Sequence, residues 1–475
     1  MNRDTITIRK GLDIPLDGLP ELHLTDARNI TTYAAKPTDY VGLIPRLTVE
    51  EGDFVHVGDA LFVDKHDERV RFTSPVDGHV KAIVRGEKRK LLEVIVESDG
   101  KTAAPLDKST LIQDLPQTAE AIKAAMLQCG LWTMLRQRPF GIVAKPDDKP
   151  KAIFVSAFDS APLAPDYDFV LQGRETFFAK GIEALTLLTE GLVHVCFRPG
   201  QRLAQQFNNS TVQQIKIHYI KGPHPAGNIG PQIAKIDPIN KGEVVWTMNA
   251  QDVAVLGELF ATGVYRPEKM IAVAGPNIKN PHYYRIIAGA CMESIVASQV
   301  PNANYPKMEM DTLNYRVISG NVLSGTQIAA LGFIGAYDNM ITLLHEGNYY
   351  DFMGWLMPGV KKFSFSRTFL SGFTPKNTDL QPSCLDRFWK FDTNLHGEER
   401  PFVVTGEFEK VFPFDIYPLQ LIKACLVGDL DLMENLGLYE VEPEDFALCE
   451  FIDTSKTDIQ AIIRNGLELA RKENE

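Results

Sequence analysis

The residues of this chain that could do chemistry lie in loops, and each loop carries part of a known pattern. The first reads RQRPFG, with Arg136, Arg138, Phe140 and Gly141, and precedes the apolar run KAIFVSAF at 151–158. Two guanidinium groups beside an aromatic ring can grip a planar or anionic ligand, because arginine forks onto anions and stacks on ring faces. A flavin or nucleotide phosphate at that position needs glycines, so that backbone N–H groups can approach it. This loop offers Gly141 only, and the simpler reading of the arginines is a solvated or interface segment. The second loop is HPAGNIGP at 224–231, after a strand-like run, where open α/β sheets bind their ligands. His224 suits general acid–base work. No acidic neighbour in the sequence orients it, and a plain structural loop competes with that role. Asn228 lies in the same loop, and Asn249 follows VVWTM. The third loop, VDKHDERVRFTSP, holds Lys65.

Lys65 sits inside a stretch, 41–85, that resembles a lipoyl- or biotin-carrier β-domain. Gly52 and Gly58 punctuate short apolar stretches, and Pro75, Asp77 and Gly78 form a second turn before Val80, Ile83 and Val84. A carrier presents its modified lysine at a hairpin tip among small residues. Lys65 is instead followed by His66, Asp67, Glu68 and Arg69 and is spaced farther from Ser74-Pro75, which favours an unmodified surface lysine on a β-scaffold.

The remaining elements follow from apolar periodicity. Residues 1–102 read as short strands with Gly/Pro turns. Pro116 and Thr118 open a helix that Gly130 closes. From 151 onward a strand, a helix at 175–191, a strand at 192–197, a helix-like PGQRLAQQFNN and a strand at 211–220 alternate. That order predicts a parallel sheet with right-handed crossovers. Residues 221–242 read as a long Gly/Pro loop, followed by strand VVWTM and a helix ending at Gly263. The stretch 264–325 is mostly β with one short helix, as in a β-grasp unit. After 330 the pattern is irregular until 410, and then a helical tail begins, with Pro443 at a first helical position and Glu444 and Asp445 suited to the helix dipole. Tyr283-Tyr284, Tyr349-Tyr350 and Trp389 read as core or interface anchors.

Composition narrows the function. At 475 residues the chain is too long for one core, and about three to four domains are expected. A net charge of −12 argues against nucleic acid or an anionic membrane surface as a general partner. The N-terminus lacks the apolar region of a signal peptide, and no run of ~18 apolar residues offers a membrane span. The six cysteines are Cys129, Cys196, Cys291, Cys384, Cys425 and Cys449. They form no CxxC pair, so neither a zinc nor an iron–sulfur site is expected. No G-x-S-x-G occurs, and no catalytic residue or metal ligand is assigned.

Several longer segments carry a resemblance over nearly the whole chain: KGLDIPLDG, GPHPAGNIGPQIAKIDP, VVWTMNAQDVAVLGELFATG, AVAGPNIKNP, RVISGNVLSG and YPLQLIKACLVGDLDLMENLG with LYEVEPEDFALCEF. Together they resemble the NqrA family of sodium-translocating NADH:quinone reductase subunits, relatives of the NADH/flavin subunit of complex I and of the Rnf C subunit. The resemblance implies an α/β multidomain chain in four units. These are a barrel-sandwich (biotinyl/lipoyl-like) hybrid β-domain at 1–102, a Rossmann-like flavin-subunit-like α/β domain at 103–263, an SLBB-like β-grasp unit at 264–330 and a largely helical C-terminal domain at 331–475. It further implies a peripheral subunit on the cytoplasmic face of the inner membrane. Its partners would be the integral membrane subunits of a complex that passes electrons from NADH to quinone and exports Na+.

Departures from the redox relatives imply lost cofactors. RQRPFGIVAKP stands where they have a glycine-rich flavin loop, and HPAGNI stands where they have a YPxGxE-like loop, with Ile229 at the acidic position. Asn249 matches a flavin-loop asparagine. In place of CxxCxxxCP the tail has Phe446, Cys449 and Asp453, and one thiolate cannot hold a cluster that needs four. The expectation is therefore a subunit without a redox cofactor, with flavins and iron–sulfur centres on its partners and quinone as a possible ligand. The residues offered for a quinone cleft are Arg136, Phe140, His224, Asn228 and Asn249. The competing functions are a flavin-dependent NADH dehydrogenase subunit and a covalent lipoyl or biotin carrier.

Overall fold

A computed structural model describes residues 5–28, 30–99, 118–207, 212–276, 278–300, 314–329, 331–354, 356–360, 362–363, 365–366, 369–373 and 388–474. Cys384 and Pro116 fall outside these.

The carrier-like spacing builds two small antiparallel sheets. One joins Thr32–Ala35, Leu91–Ser98, Gly78–Arg85 and Phe54–Val55; the other joins Pro45–Leu47, Ala60–Asp64 and Arg71–Thr73. Alternate residues point inward, so Val80, Val94 and Val96 are buried together with Phe62 and Phe72, whose rings stack at 4.7 Å. Residues 5–26 leave this unit. Thr5–Thr7 pairs in parallel with Ile215–Lys221, and Glu21–Asp26 pairs in parallel with His282–Ile287. The N-terminal segment thus stitches two other sheets together, a pairing that period-2 patterning cannot reveal because the partners are far away in sequence.

The α/β unit has five parallel strands in the order Thr5–Thr7, Ile215–Lys221, Leu192–Phe197, Ala152–Ser156 and Val245–Thr247. Chain order places the last four as 3-2-1-4, the doubly wound arrangement. Helices Glu175–Thr186 and Ala250–Thr262 cross at glycines. A Cβ on Gly257 would lie 1.8 Å from the Phe177 carbonyl oxygen, and one on Gly181 would lie 2.0 Å from that of Val253. Only hydrogen at both positions allows such close backbones. The 119–129 helix forms as expected, with the Thr118 hydroxyl accepting from Ala121 N and Gly130 left-handed at φ 81°.

Two expectations in this unit are corrected. Arg136–Arg138 is not a solvated loop; it is a strand antiparallel to Val245–Thr247, extending the sheet toward Ile142–Val143. Residues 221–242 are not all loop, because Ile229–Ile236 forms a helix with Asn228 at its N-cap. Pro231 is tolerated there in the first turn, where an N–H has no intrahelical acceptor. Ile229, Ile233 and Ile236 supply a face that packs on Phe154 and Val245.

A six-stranded mixed sheet follows, ordered Thr326–Ile328, Tyr315–Ser319, Met340–His345, Glu268–Ala274, His282–Ile287, Glu21–Asp26, with helix Glu293–Gln299. Met340–His345, read as irregular from sequence and assigned beyond 330, is a central strand of this sheet. Tyr283, Tyr284 and Trp389 are buried, whereas Tyr349 is 48% and Tyr350 98% exposed, so the core reading does not hold for that pair. The tail holds helices Phe408–Val411, Pro418–Val427, Leu430–Asn435, Ala447–Ile452 and Ile459–Asn474. They enclose their own core around Phe408, Phe412, Leu421, Phe446 and Ile463. From 346 to 407 the described residues form little regular structure beyond a 3-10 turn at Leu370–Phe373, and among the described residues the α-helices of this tail begin at Phe408.

Candidate functional site: a cleft at the sheet switch point

Ala152–Ser156 and Val245–Thr247 are parallel neighbours, and the residues at and just past their carboxyl ends, where open α/β sheets bind ligands, border a crevice. A cavity of about 400 Å³ opens there, within the size range of small-molecule sites. Ser156, Asp159 and Asn249 line it from the α/β sheet, Tyr337 and Asn339 from the mixed sheet, and Glu442, Glu444 and Arg464 from the tail. Asp39 and Val41 of the N-terminal unit complete the wall, so the cavity exists only where four units meet.

Three of the five residues offered from sequence reach this cavity: Arg136, Asn228 and Asn249. Asn249 caps helix Ala250–Thr262, its Oδ1 accepting from Gln251 N at 2.9 Å, while its Nδ2 donates to the Tyr167 hydroxyl at 3.1 Å. That hydroxyl also accepts from Asn339 Nδ2 at 3.2 Å. Asn228 caps Ile229–Ile236 by backbone geometry, and its side chain makes no capping bond.

Phe140 and His224 do not line the cavity. Phe140 lies edge-on to Tyr439 at 5.9 Å, partly buried against the core of the helical tail, and its carbonyl accepts from Arg464 Nη1 at 2.7 Å. His224 is buried. Its Nδ1 lies 3.1 Å from Ser160 Oγ, and its backbone N–H donates to Asp13 at 2.8 Å. Burial pushes the imidazole below its ordinary pKa, with Asp159 and Asp13 opposing. The acidic neighbours missing from its local sequence are thus supplied by tertiary structure, but in a structural joint behind the cavity.

The arginines meet carboxylates that sequence reasoning did not pair with them. Arg136 Nη2 lies 3.0 Å from Glu442 Oε2, and its guanidinium stands 5.2 Å from the Tyr337 ring centre. Arg138 is buried and reaches Glu442 at 3.2 Å, Glu444 at 2.9 Å and Asp445 at 3.4 Å. Burial works against charge throughout this cluster. Arg138 wins against it because several carboxylates surround one guanidinium, and Glu442 is held below the usual carboxylate range by Arg138 and Arg136. Asp445 is on the losing side: burial raises it to about 7, and Arg138 only partly opposes that. The turn is stiff. Pro443 opens a 3-10 segment, Pro443–Phe446, and Glu442 and Asp445 cap each other's backbone N–H groups. The sequence held one signal for the cluster, the opposite charges of RQR and EPED.

These residues do not fit a flavin phosphate. A phosphate needs free cations and approachable N–H groups; of the two arginines in this wall Arg136 is paired with Glu442 and Arg464 donates to the Phe140 carbonyl, and Asp39, Asp159, Asp338, Glu442 and Glu444 face the same cavity. Cys449 is buried, and no cluster of metal-ligating side chains is found among the described residues. Lys65 is exposed on the turn joining Ala60–Asp64 to Arg71–Thr73. Its surroundings are charged: Arg69 pairs with Asp67 at 2.7 Å, and Arg46 pairs with Glu68.

Three family models match in order. They are described as the NqrA N-terminal barrel-sandwich hybrid domain over 6–99, the NqrA second alpha/beta domain over 117–265, and the NQRA C-terminal domain, of SLBB type, over 270–330. The Na(+)-translocating NADH-quinone reductase NqrA subunit of Pasteurella multocida is 36% identical over 469 residues, 98% of this chain and 100% of that one. The proteins of the same name from Yersinia pseudotuberculosis and Neisseria meningitidis serogroup B are 35% and 37% identical, again over 98% of this chain and 100% of theirs. Likeness of this extent, in one unbroken order through all the units described, shows that the chain belongs to the NqrA family of Na+-translocating NADH-quinone reductase subunits.

Proposed function

We propose that this chain is the peripheral NqrA component of a membrane complex that passes electrons from NADH to quinone and exports Na+. It sits on the cytoplasmic face of the inner membrane, held by the complex's integral membrane subunits, and carries no redox cofactor itself. Full-length colinearity with subunits of that name supports the assembly. Among the described residues no helix is long and apolar enough to cross a membrane, in keeping with attachment through partners. The observation that carries the cofactor-free reading is the excess of carboxylates: Asp39, Asp159, Asp338, Glu442 and Glu444 line the old flavin cleft with only two arginines, Arg464 and the Glu442-paired Arg136. Flavins and iron–sulfur clusters then belong to the partners.

Quinone is the acceptor of the complex, and we assign its main site to a partner as well. A quinone ring calls for a mostly apolar seat with one or two donors, whereas in this cleft Phe158, Tyr167 and Tyr337 share the wall with Asp39, Asp159, Asp338, Glu442 and Glu444, and the Phe140 ring is not part of it. The test uses a tagged chain purified from its host. It should copurify with membrane subunits and Na+-stimulated NADH:quinone reductase activity, and stripped of partners it should be colourless. Stoichiometric flavin in the stripped chain would refute the cofactor-free reading. Saturable quinone binding by that chain, abolished by Asn249→Ala, would move the quinone site into the cleft.

A further inference from the structure

At one corner of the cleft two anion-binding devices converge. One is the pair Arg136 and Arg138 on the antiparallel strand; the other is the start of helix Ile229–Ile236, whose first N–H groups have no intrahelical acceptor. What stands between them is the chain's own acidic turn, 442–445. Asp445 presses so closely on the helix start that a Cβ on Gly230 would lie 2.3 Å from its Oδ1. That oxygen is fully buried and accepts no hydrogen bond, and Glu442 Oε1 and Arg136 Nε are likewise buried without one. Glu442 Oε1 still stands 3.2 Å from Arg138 Nε, but Asp445 Oδ1 and Arg136 Nε are left unmatched on this stiff turn, although buried polar groups are normally satisfied. A tetrahedral oxyanion could meet donors from both sides at once. Glu442, Pro443, Glu444, Arg136 and Ile229 all border the open cavity, so a ligand lying in the cleft would end at this corner.

We propose that the turn 442–445 is an internal stand-in for a ligand's phosphate: it occupies an anion seat built by Arg136, Arg138 and the start of helix Ile229–Ile236, and so closes the cleft to phosphorylated ligands. Five carboxylic side chains, Asp39, Asp159, Asp338, Glu442 and Glu444, border the cavity against the guanidiniums of Arg136 and Arg464, so an incoming phosphate dianion meets net repulsion. The inference rests on the cofactor-free reading, yet the two fail separately. Flavin in the wild-type chain sinks that reading, whereas the seat is tested by variants and inorganic phosphate.

The experiment titrates inorganic phosphate into the full-length chain by calorimetry. Wild type should show no saturable binding up to about 20 mM. The variant Glu442→Gln/Glu444→Gln/Asp445→Asn should bind at least about tenfold more tightly, because the repelling charges are gone while the cations remain. Adding Arg138→Gln should abolish the gain. Glu444→Gln alone, at a partly exposed side chain, should give a smaller gain of about threefold without touching the buried pair. A folded triple variant with no gain overturns the proposal, and so does wild-type binding as tight as the variant's. If the triple variant does not fold, absence of any gain in Glu444→Gln overturns it equally.

Discussion

Arg138→Gln removes the guanidinium that reaches Glu442 at 3.2 Å, Glu444 at 2.9 Å and Asp445 at 3.4 Å. Glu442 keeps Arg136 at 3.0 Å, and Glu444 is partly exposed, so the loss falls mainly on Asp445. Stranding a buried carboxylate by deleting its partner costs about 3–5 kcal/mol. Asp445 can escape part of that by taking a proton. Its folded-state pKa, about 7, lies above the ordinary 3.8. Its contribution to stability is therefore full below the unfolded value and is lost as pH rises through the folded one. Without Arg138 the folded pKa climbs further, so at pH 6 the carboxyl is neutral and only hydrogen bonding and packing are lost, about 1–2 kcal/mol. At pH 8.5 ionisation is either suppressed at a cost or endured, and the deficit approaches about 3–5 kcal/mol. Urea unfolding followed by tryptophan fluorescence at the two pH values measures both numbers. A deficit below about 1 kcal/mol at pH 8.5, or equal deficits at the two pH values, would refute the assignment of Arg138 as the cation that holds this turn.

Further outcomes follow from the same geometry. Gly257→Ala should destabilise the α/β unit by about 2–3 kcal/mol, since its Cβ would meet the Phe177 carbonyl at 1.8 Å; an unchanged melting temperature would mean the helices separate freely. His194 Nδ1 lies 2.9 Å from His218 Nε2, and burial, with His218 next, lowers His194 to about 4. Neutral His194 thus stabilises the fold above pH 6.5, and the contribution, about 2 kcal/mol after screening at the half-exposed His218 edge, is lost as pH falls toward 4. His194→Gln should flatten that part of the melting profile, and an identical slope would discount the pair. Lys65 should carry no lipoyl or biotinyl mass in protein from its native host, and Lys65→Arg should leave complex activity within about twofold; a loss beyond about tenfold would assign it a role.

The sequence by itself determined the local elements and the family. Thr118, Gly130 and Gly263 mark helix ends because capping is a property of a few adjacent residues. The apolar runs at 151–158 and 192–197 are strands because their residues have nowhere to go but a sheet buried on both faces. The long colinear segments named the family because they preserve a whole chain. Tertiary structure alone decided the site. Residues 5–26 join two sheets by pairing with partners near 219 and 284, and no local period encodes a partner that distant. Arg138 and Asp445 are 307 positions apart. Each reads as a solvated charge until folding removes water from both, and their meeting is what turns a loop that could grip an anion into one already filled. Phe140 and His224 illustrate the converse. Their types suit a binding cleft, but which way a side chain faces depends on the units packed around it, and here the helical tail and Asp13 draw both away from the cavity.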